Sequence, residues 1–304
     1  MMTDTPPPTR KKPLPHYRRR RRRAPAAPRR LARWLWATPR RRWALVAAAV
    51  LAVAIPLLVF LWPAPPDPSL RRVQEAGVLR VGLDASFPPL ETTDGRGNFG
   101  GYDIDLAEAI ARALGVRAEF VNISFDSLYD ALASRRIDVI ISGLLYAPEM
   151  TRDVLYSASY LNVGPVLVVR RDGAIAKTAD LAGKTVAVEL GSEGQVVAQR
   201  LAEKEVAGLV GQTYPTVPEA LAALRHGEVA AVIADPIAVS EFVRGEAAGD
   251  DLRVVGGPLS DESYVIAAHR YDRTLLKAID RVLQELRAQG FLEQLADHWF
   301  PLPR

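Results

Sequence analysis

Residues 125–143 read FDSLYDALASRRIDVIISG. The spacing predicts a helix over 127–133 and a short buried strand over 138–142 that runs into Gly143. The same alternation extends outward on both sides. Upstream, 78–83 is an apolar strand ending at Asp84. An amphipathic helix follows over 104–114, with Leu106, Ile110 and Leu114 on one face and Gly115 as its stop, and 118–123 is a further strand. Downstream, 163–169 is an apolar strand closed by Asp172 and Gly173. The pattern then restarts, with strands at 185–188, 229–233, 252–255 and 264–268 and helices at 196–201, 217–224, 237–243, 275–286 and 292–299. Such alternation predicts an α/β fold with parallel sheets covered by helices on both faces, whose ligands sit beyond the C-terminal strand ends. Those ends hold Asp84, Gly143, Gly191 and Asp235.

Charge divides the 304 residues into two parts. Residues 1–42 carry 15 Lys and Arg against one acid, Asp4, so the remainder has 24 bases and 34 acids, a net of −10. The body is acidic, and a nucleic-acid surface is not expected on it. The tail holds six arginines in a row at 18–23 and eight prolines between Pro6 and Pro39, a composition that predicts disorder. Residues 43–62 are 20 apolar residues bounded by Trp43 and Trp62, long enough at about 1.5 Å per residue to span a bilayer core as one helix. Arg40, Arg41 and Arg42 abut this stretch, so the positive-inside rule places the tail in the cytoplasm and the body outside. A cleaved signal peptide fits less well, because Trp62 occupies the position where a small residue is needed. The localisation expected is therefore the cytoplasmic membrane, single-pass, with a proline-rich linker over 63–75. Cysteine is absent, and no two of the four histidines stand at metal-ligand spacing, so no metal site is expected.

Two glycine patterns invite a ligand. Residues 95–100, GRGNFG, fit a dinucleotide fingerprint, but polar residues precede them instead of a buried strand, which favours a hairpin turn. Residues 191–194, GSEG, open a helix after a strand, where free amides could hold a carboxylate or phosphate; a plain tight turn explains them equally well. No histidine is placed to support a serine nucleophile, and no catalytic residue is evident.

From about residue 78 to 300 the sequence resembles the family 3 extracellular solute-binding proteins, which serve ABC importers of amino acids and similar small polar solutes. The resemblance lies in LRVGLDASFPPLE (79–91), GGYDIDLAEAIARALG (100–115), FDSLYDALASRRIDVIISG (125–143), DLAGKTVAVELGSEG (180–194), AAVIADP (230–236) and ADHWF (296–300). It implies a two-lobed clamshell of the type II periplasmic-binding-protein-like class, closing on its ligand by a hinge. Lobe 1 is then 76–164 plus 259–304 and lobe 2 is 165–258, with crossings near Gly164 and Pro258. The resemblance further implies a small-molecule solute, an ABC permease as partner, no cofactor, and a monomer.

Carried onto this chain, the resemblance assigns Asp84 to the ligand side chain and Phe87 and Phe125 to an aromatic pair. It assigns the Gly143 carbonyl and the Asp235 carboxylate to the ligand ammonium. Ser192 and Glu193 would give backbone donors to the ligand carboxylate, and Glu189 would face the ligand side chain. The sequence departs from the family at two positions. Where amino-acid binders carry an arginine that forks onto the α-carboxylate, the ungapped count gives Met150, and the nearby hydroxyl position is Leu145. Arg152 lies about 200° further round a helix and would face elsewhere. An acidic cleft that lacks the fork favours a cationic or amine-bearing solute. Two other readings remain open on this scaffold. One is a cyclohexadienyl-dehydratase-like enzyme, whose dicarboxylated substrate suits an acidic site poorly; the other is a ligand-sensing module.

Overall fold

The computed structural model describes residues 43–44, 47–48, 50–54, 67–245 and 251–303. The chain forms two units, Met1–Pro65 and Pro66–Arg304. The predicted basic tail and the proline spacer as far as residue 66 lie outside the described residues, as does most of the predicted membrane segment. The described residues of that segment are helical and exposed. Among the described residues no helix is long and apolar enough to cross a membrane.

The second unit runs α1 (Ser69–Ala76), β1 (Val78–Leu83), β2 (Ser86–Phe87), β3 (Glu91–Thr93), β4 (Phe99–Gly100), α2 (Tyr102–Ala113), β5 (Arg117–Asn122), α3 (Leu128–Ala133), β6 (Val139–Ile140), β7 (Val154–Tyr156) and β8 (Leu161–Asn162). It continues through β9 (Val166–Arg170), β10 (Thr185–Glu189), α4 (Glu193–Lys204), β11 (Val210–Tyr214), α5 (Val217–His226), β12 (Ala231–Ala234) and α6 (Pro236–Gly245). The last elements are β13 (Leu252–Val255), β14 (Ser263–Tyr264), β15 (Ala267–His269), α7 (Arg273–Ala288) and α8 (Phe291–Trp299). The linker expected to reach residue 75 ends earlier. Asp67 accepts from the Thr274 amide at 2.9 Å and the Thr274 hydroxyl at 2.7 Å, and α1 follows with Val73 buried.

Two five-stranded sheets make the two lobes, in the orders β5-β1-β6-β15-β7 and β11-β10-β12-β9-β13. β1 pairs in parallel with β5 and β6, and β10 with β11 and β12. The expectation of parallel sheets holds only for these halves. β15 and β9 run antiparallel to their neighbours, because each enters its sheet from the crossing and not from a helix on the sheet face. Apolar side chains cover both faces of each sheet. In lobe 1, Leu79 and Val81 pack with Leu106, Ile110, Ile279 and Leu283, and on the other face Ile140 packs with Leu128 and Leu132. In lobe 2, Val186 and Val188 meet Val197 and Leu201, while Ala187 and Val232 meet Leu221 and Leu224. The glycine-rich segment 95–100 is the hairpin between β3 and β4, closed by Asp94 N–H to the Asn98 carbonyl at 2.9 Å.

The lobes are joined by two segments that run side by side. β8 and β14 pair antiparallel, Val163 N–H donates to the Glu262 carbonyl at 2.9 Å, and Leu259 N–H donates to the Pro165 carbonyl at 2.8 Å. The Asn162 side-chain oxygen accepts from the amides of Gly164 at 2.8 Å and Glu262 at 3.3 Å, so one residue staples both segments. The C-terminal tail adds a third connection: the Pro303 carbonyl accepts from Val254 N–H in β13 at 2.8 Å, and Arg244 of α6 donates to the carbonyls of His298 and Trp299 at 2.8 Å each.

The crossing is tightest at Gly164, where an added Cβ would sit 2.2 Å from the Ser260 carbonyl oxygen; at Gly257 in the same region nothing lies within 4 Å. Gly164→Ala is expected to destabilise the chain by about 2 kcal/mol, lowering Tm by about 4–8 °C, and Gly257→Ala by less than about 0.5 kcal/mol. Thermal unfolding of the two variants side by side checks this.

Candidate functional site

The C-terminal ends of the central strands carry the predicted site residues. In lobe 1, β1 ends into Asp84 and β6 leads into Ser142 and Gly143. Asp84 is held from three sides. Its amide donates to the Ser142 hydroxyl at 3.0 Å, Oδ1 accepts from the Ser86 hydroxyl at 2.7 Å, and Oδ2 accepts from Phe125 N–H at 2.8 Å. The Ser86 bond foremost holds its carboxyl below the usual carboxylate range; burial opposes it, and the Phe125 and Ser86 amides add to the lowering. The Phe125 bond brings that residue to Asp84. The Phe87 ring lies beside Gly143, with ring carbons 3.2 and 3.3 Å from where a Gly143 Cβ would stand. Both phenylalanines are nearly half exposed, 46% and 45%, a large apolar surface left open where the strands end.

In lobe 2, β12 ends into Asp235, whose Oδ1 accepts from the amides of Ile237 at 2.8 Å and Ala238 at 3.0 Å and so caps α6. Its Oδ2 has no hydrogen-bond partner among the described residues. Asp235 is open to solvent, yet surrounding protein desolvates its carboxyl enough to raise it above the ordinary range despite the two amide bonds. Gly194 packs against the end of β12, where an added Cβ would be 2.5 Å from the Ile233 carbonyl, so the start of α4 is adjacent to Asp235.

Ser192 is the N-cap of α4. Its hydroxyl donates to the Glu189 carbonyl at 2.8 Å and accepts from Gln195 N–H at 3.3 Å, and its own amide donates to Glu189 at 3.3 Å. The Ser192 amide expected as a ligand donor is therefore already engaged. The Glu193 amide makes no hydrogen bond to the described residues and remains available at the helix N-terminus. Glu189 is half-buried, and no contact brings its carboxylate to the other acids.

Met150 and Leu145 both lie in lobe 1. Met150 closes a short 3-10 turn, Pro148–Met150, and packs, as Tyr129 and Tyr156 also do, against the lobe 1 core cluster that holds Leu128 and Ile140. There it lines a recess of about 370 Å³ with Asp130, Asp153, His269 and Arg270. Leu145 is 47% exposed and bridges to Tyr264 of β14. Arg152 is exposed and makes no hydrogen bond or ion pair with the described residues. A second recess, about 690 Å³, lies at the opposite end of lobe 2 and is lined by Arg170, Asp180, Lys184 and Glu228. It lies where the parallel strands β10 and β12 begin, the wrong end of an α/β sheet for a ligand.

Sequence reasoning missed Glu262, on the second crossing segment. Burial, then the charges of Glu193 and Asp235, raise its carboxyl, so Glu262 stands within electrostatic reach of both acids. Tyr264 sits among the acids of both lobes: burial first, then Asp235, Asp103, Glu91 and Glu262, push its hydroxyl up. The only signal for Glu262 in the sequence was its place in 261–263, DES, just before a predicted strand.

Comparison with known proteins gives this geometry a family. The profile of the bacterial extracellular solute-binding proteins, family 3, matches residues 79–302. The L-cystine-binding protein TcyJ of Escherichia coli K12 is 30% identical over 233 residues, 76% of this chain and 85% of that protein. The L-arginine-binding protein of Pseudomonas aeruginosa is 31% identical over 229 residues, 73% of this chain and 87% of that protein. Among solved structures, an ancestral cationic amino acid solute binding protein is 30% identical, covers 76% of this chain and 99% of its own, and superposes with a TM-score of 0.55. With strand-end acids on both lobes, two crossing segments and a profile match over most of its length, the chain belongs to the family 3 bacterial extracellular solute-binding proteins.

Proposed function

We propose that this chain captures a cationic or amine-bearing solute, an amino acid or its decarboxylated relative, between its lobes and delivers it to an ABC importer. The observation that carries the reading is the charge at the strand ends. Asp84 on lobe 1 and Glu193, Asp235 and Glu262 around the crossing are all acids; burial raises the carboxyl of Asp235, and burial followed by the charges of Glu193 and Asp235 raises that of Glu262. No basic side chain pairs with any of the four among the described residues. Like charges in a partly desolvated space raise the energy of the empty site, and a cation entering it lowers that energy. The open Oδ2 of Asp235 is placed to take an ammonium. The two exposed phenylalanines give an apolar wall for an aliphatic stem. The arginine-binding and cationic amino acid-binding relatives support the same ligand class.

Location belongs to the same proposal. Residues 43–62 tether the body to the cytoplasmic membrane as a single helix, with the basic tail inside and the binding unit outside, in reach of a permease. We assign no catalytic step to the chain.

L-arginine at about 100 times its dissociation constant is expected to add about 2.7 kcal/mol to the detergent-solubilised full-length chain, raising Tm by roughly 5–10 °C. Asp235→Asn is expected to weaken that binding at least about tenfold. Conversion of prephenate to phenylpyruvate by the wild-type chain overturns the binding-only reading.

Affinity for a cation is also expected to fall with pH. The empty-site carboxyls of Asp235 and Glu262 lie above their ordinary values, so protons compete with the ligand as pH drops into that range. Titrations with L-arginine at about pH 7 and about pH 4.5 check the sign. In cells, the full-length chain is expected to stay in the membrane fraction after a high-salt wash, and deletion of 43–62 to release it. Full release of the intact chain by salt rules out the tether.

A further inference from the structure

Behind the Gly143 turn lie two acids that ligand binding does not touch. Glu91 at the start of β3 is 1% exposed and Asp103 in the first turn of α2 is fully buried. Glu91 Oε1 accepts from the Ser142 hydroxyl at 2.7 Å, the same hydroxyl whose oxygen accepts from the Asp84 amide. Asp103 Oδ2 accepts from the Gly143 amide at 2.7 Å and from the Tyr160 hydroxyl at 3.1 Å. The remaining oxygens, Glu91 Oε2 and Asp103 Oδ1, are buried and have no hydrogen-bond partner among the described residues, and the two carboxyls are close enough for each to act on the other. The groups facing the pair are Asp84 from the end of β1, Tyr102 of α2, Tyr160, and Tyr264 of β14. No lysine or arginine bonds to either carboxyl among the described residues.

Two bare carboxylates cannot share such a space, because each would be desolvated and would repel the other. One proton resolves both problems. We propose that Glu91 and Asp103 share a single proton and act together as the positioning element of the site: Glu91 Oε2–H donates to Asp103 Oδ1, which leaves Glu91 to accept from Ser142 and Asp103 to accept from Gly143. The roles of Asp84 and Gly143 toward the solute rest on the function proposed above; the proton itself does not.

The assignment of donor and acceptor follows from the partners. Asp103 accepts an amide and a phenol, both of which favour its ionised form, whereas Glu91 has one hydroxyl donor and faces the charges of Asp103 and Asp84. Burial, and then the Asp103 charge, push the Glu91 carboxyl up to about 10. Gly143 depends on the arrangement, since its φ is +49° and its amide has Asp103 as acceptor. The pair therefore sets both the Gly143 peptide and, through Ser142, the Asp84 backbone.

The linkage sign is definite. A folded state that keeps a proton released by the unfolded chain above about pH 4.5 loses stability steadily as pH rises toward 10. Glu91→Gln supplies the same donor and acceptor without a titrating proton. The test measures Tm of the detergent-solubilised full-length chain without solute from pH 6 to 9. The wild type is expected to fall relative to Glu91→Gln by about 3 °C per pH unit. L-arginine affinity is read in parallel for Glu91→Gln, Asp103→Asn and the double variant. Each single change is expected to weaken binding by no more than about fivefold. The double change is expected to exceed the product of the singles by about tenfold or more, because two amides set an N–H against an N–H. Parallel Tm profiles for wild type and Glu91→Gln, together with an additive double variant, overturn the proposal. So does a wild-type Tm that rises with Mg²⁺ or Ca²⁺ and drops in chelator, which would put a cation where the proton is assigned. If L-arginine does not bind the wild type, the solute reading fails, and the Tm profiles alone decide the shared proton.

Discussion

The body depends on two crossing segments that have to lie side by side. The β8–β14 pairing, the Asn162 side chain and the absence of a Cβ at Gly164 hold residues 161–165 against 258–264. That contact accounts for the mixed sheets. A chain arriving through the crossing enters each sheet against the direction of the strands that helices deliver, so β9 and β15 are antiparallel in otherwise parallel neighbourhoods. It also accounts for the chemistry. Residues next to the crossing, Glu262 and Tyr264, stand among acids contributed by both lobes.

Around this crossing the electrostatics fall into two layers. The outer layer is open: Asp84, Glu193, Asp235 and Glu262 are exposed or partly exposed acids with no basic partner among the described residues. The inner layer is closed: Glu91 bonded to Ser142, and Asp103 bonded to Gly143 and Tyr160, are buried with no basic partner among the described residues. The outer layer is suited to attract a cation, and the inner one to hold the backbone atoms that would touch it. A buried network of this kind is stable only if every lone pair and proton is matched, which makes the proton count part of the structure.

Much of this was legible in the residues. Strand ends could be read wherever an apolar run stops at a charged or glycine residue, and Asp84, Gly143 and Asp235 were found that way and sit at the ends of their strands. What stayed hidden has physical reasons. β11 was invisible because Val210–Tyr214 is an exposed edge strand whose middle, Gly211-Gln212-Thr213, lacks an apolar face. The run 264–268 read as one strand but divides between β14 and β15, since the chain turns there from the crossing into lobe 1 and hydrophobicity does not encode strand partners. α1 falls inside the expected linker because its apolar core contacts, Leu70 and Val73, are too few to make a period. The pairing of Glu91 with Asp103 joins residues 12 apart through tertiary packing, and no local pattern reports it. Met150 illustrates the reverse. Its identity gives the expectation that a carboxylate fork is missing, and the structure shows the side chain partly buried against the core of lobe 1.

The central claim is that an acidic cleft without a carboxylate fork recognises its solute through positive charge. Isothermal titration of the full-length chain with L-arginine and with agmatine, which differ by the α-carboxylate alone, tests it most directly. The account predicts dissociation constants within about tenfold of each other. Agmatine binding weaker by a factor of about 100 or more, the worth of a charged bidentate contact, would contradict it and show that another group grips the carboxylate.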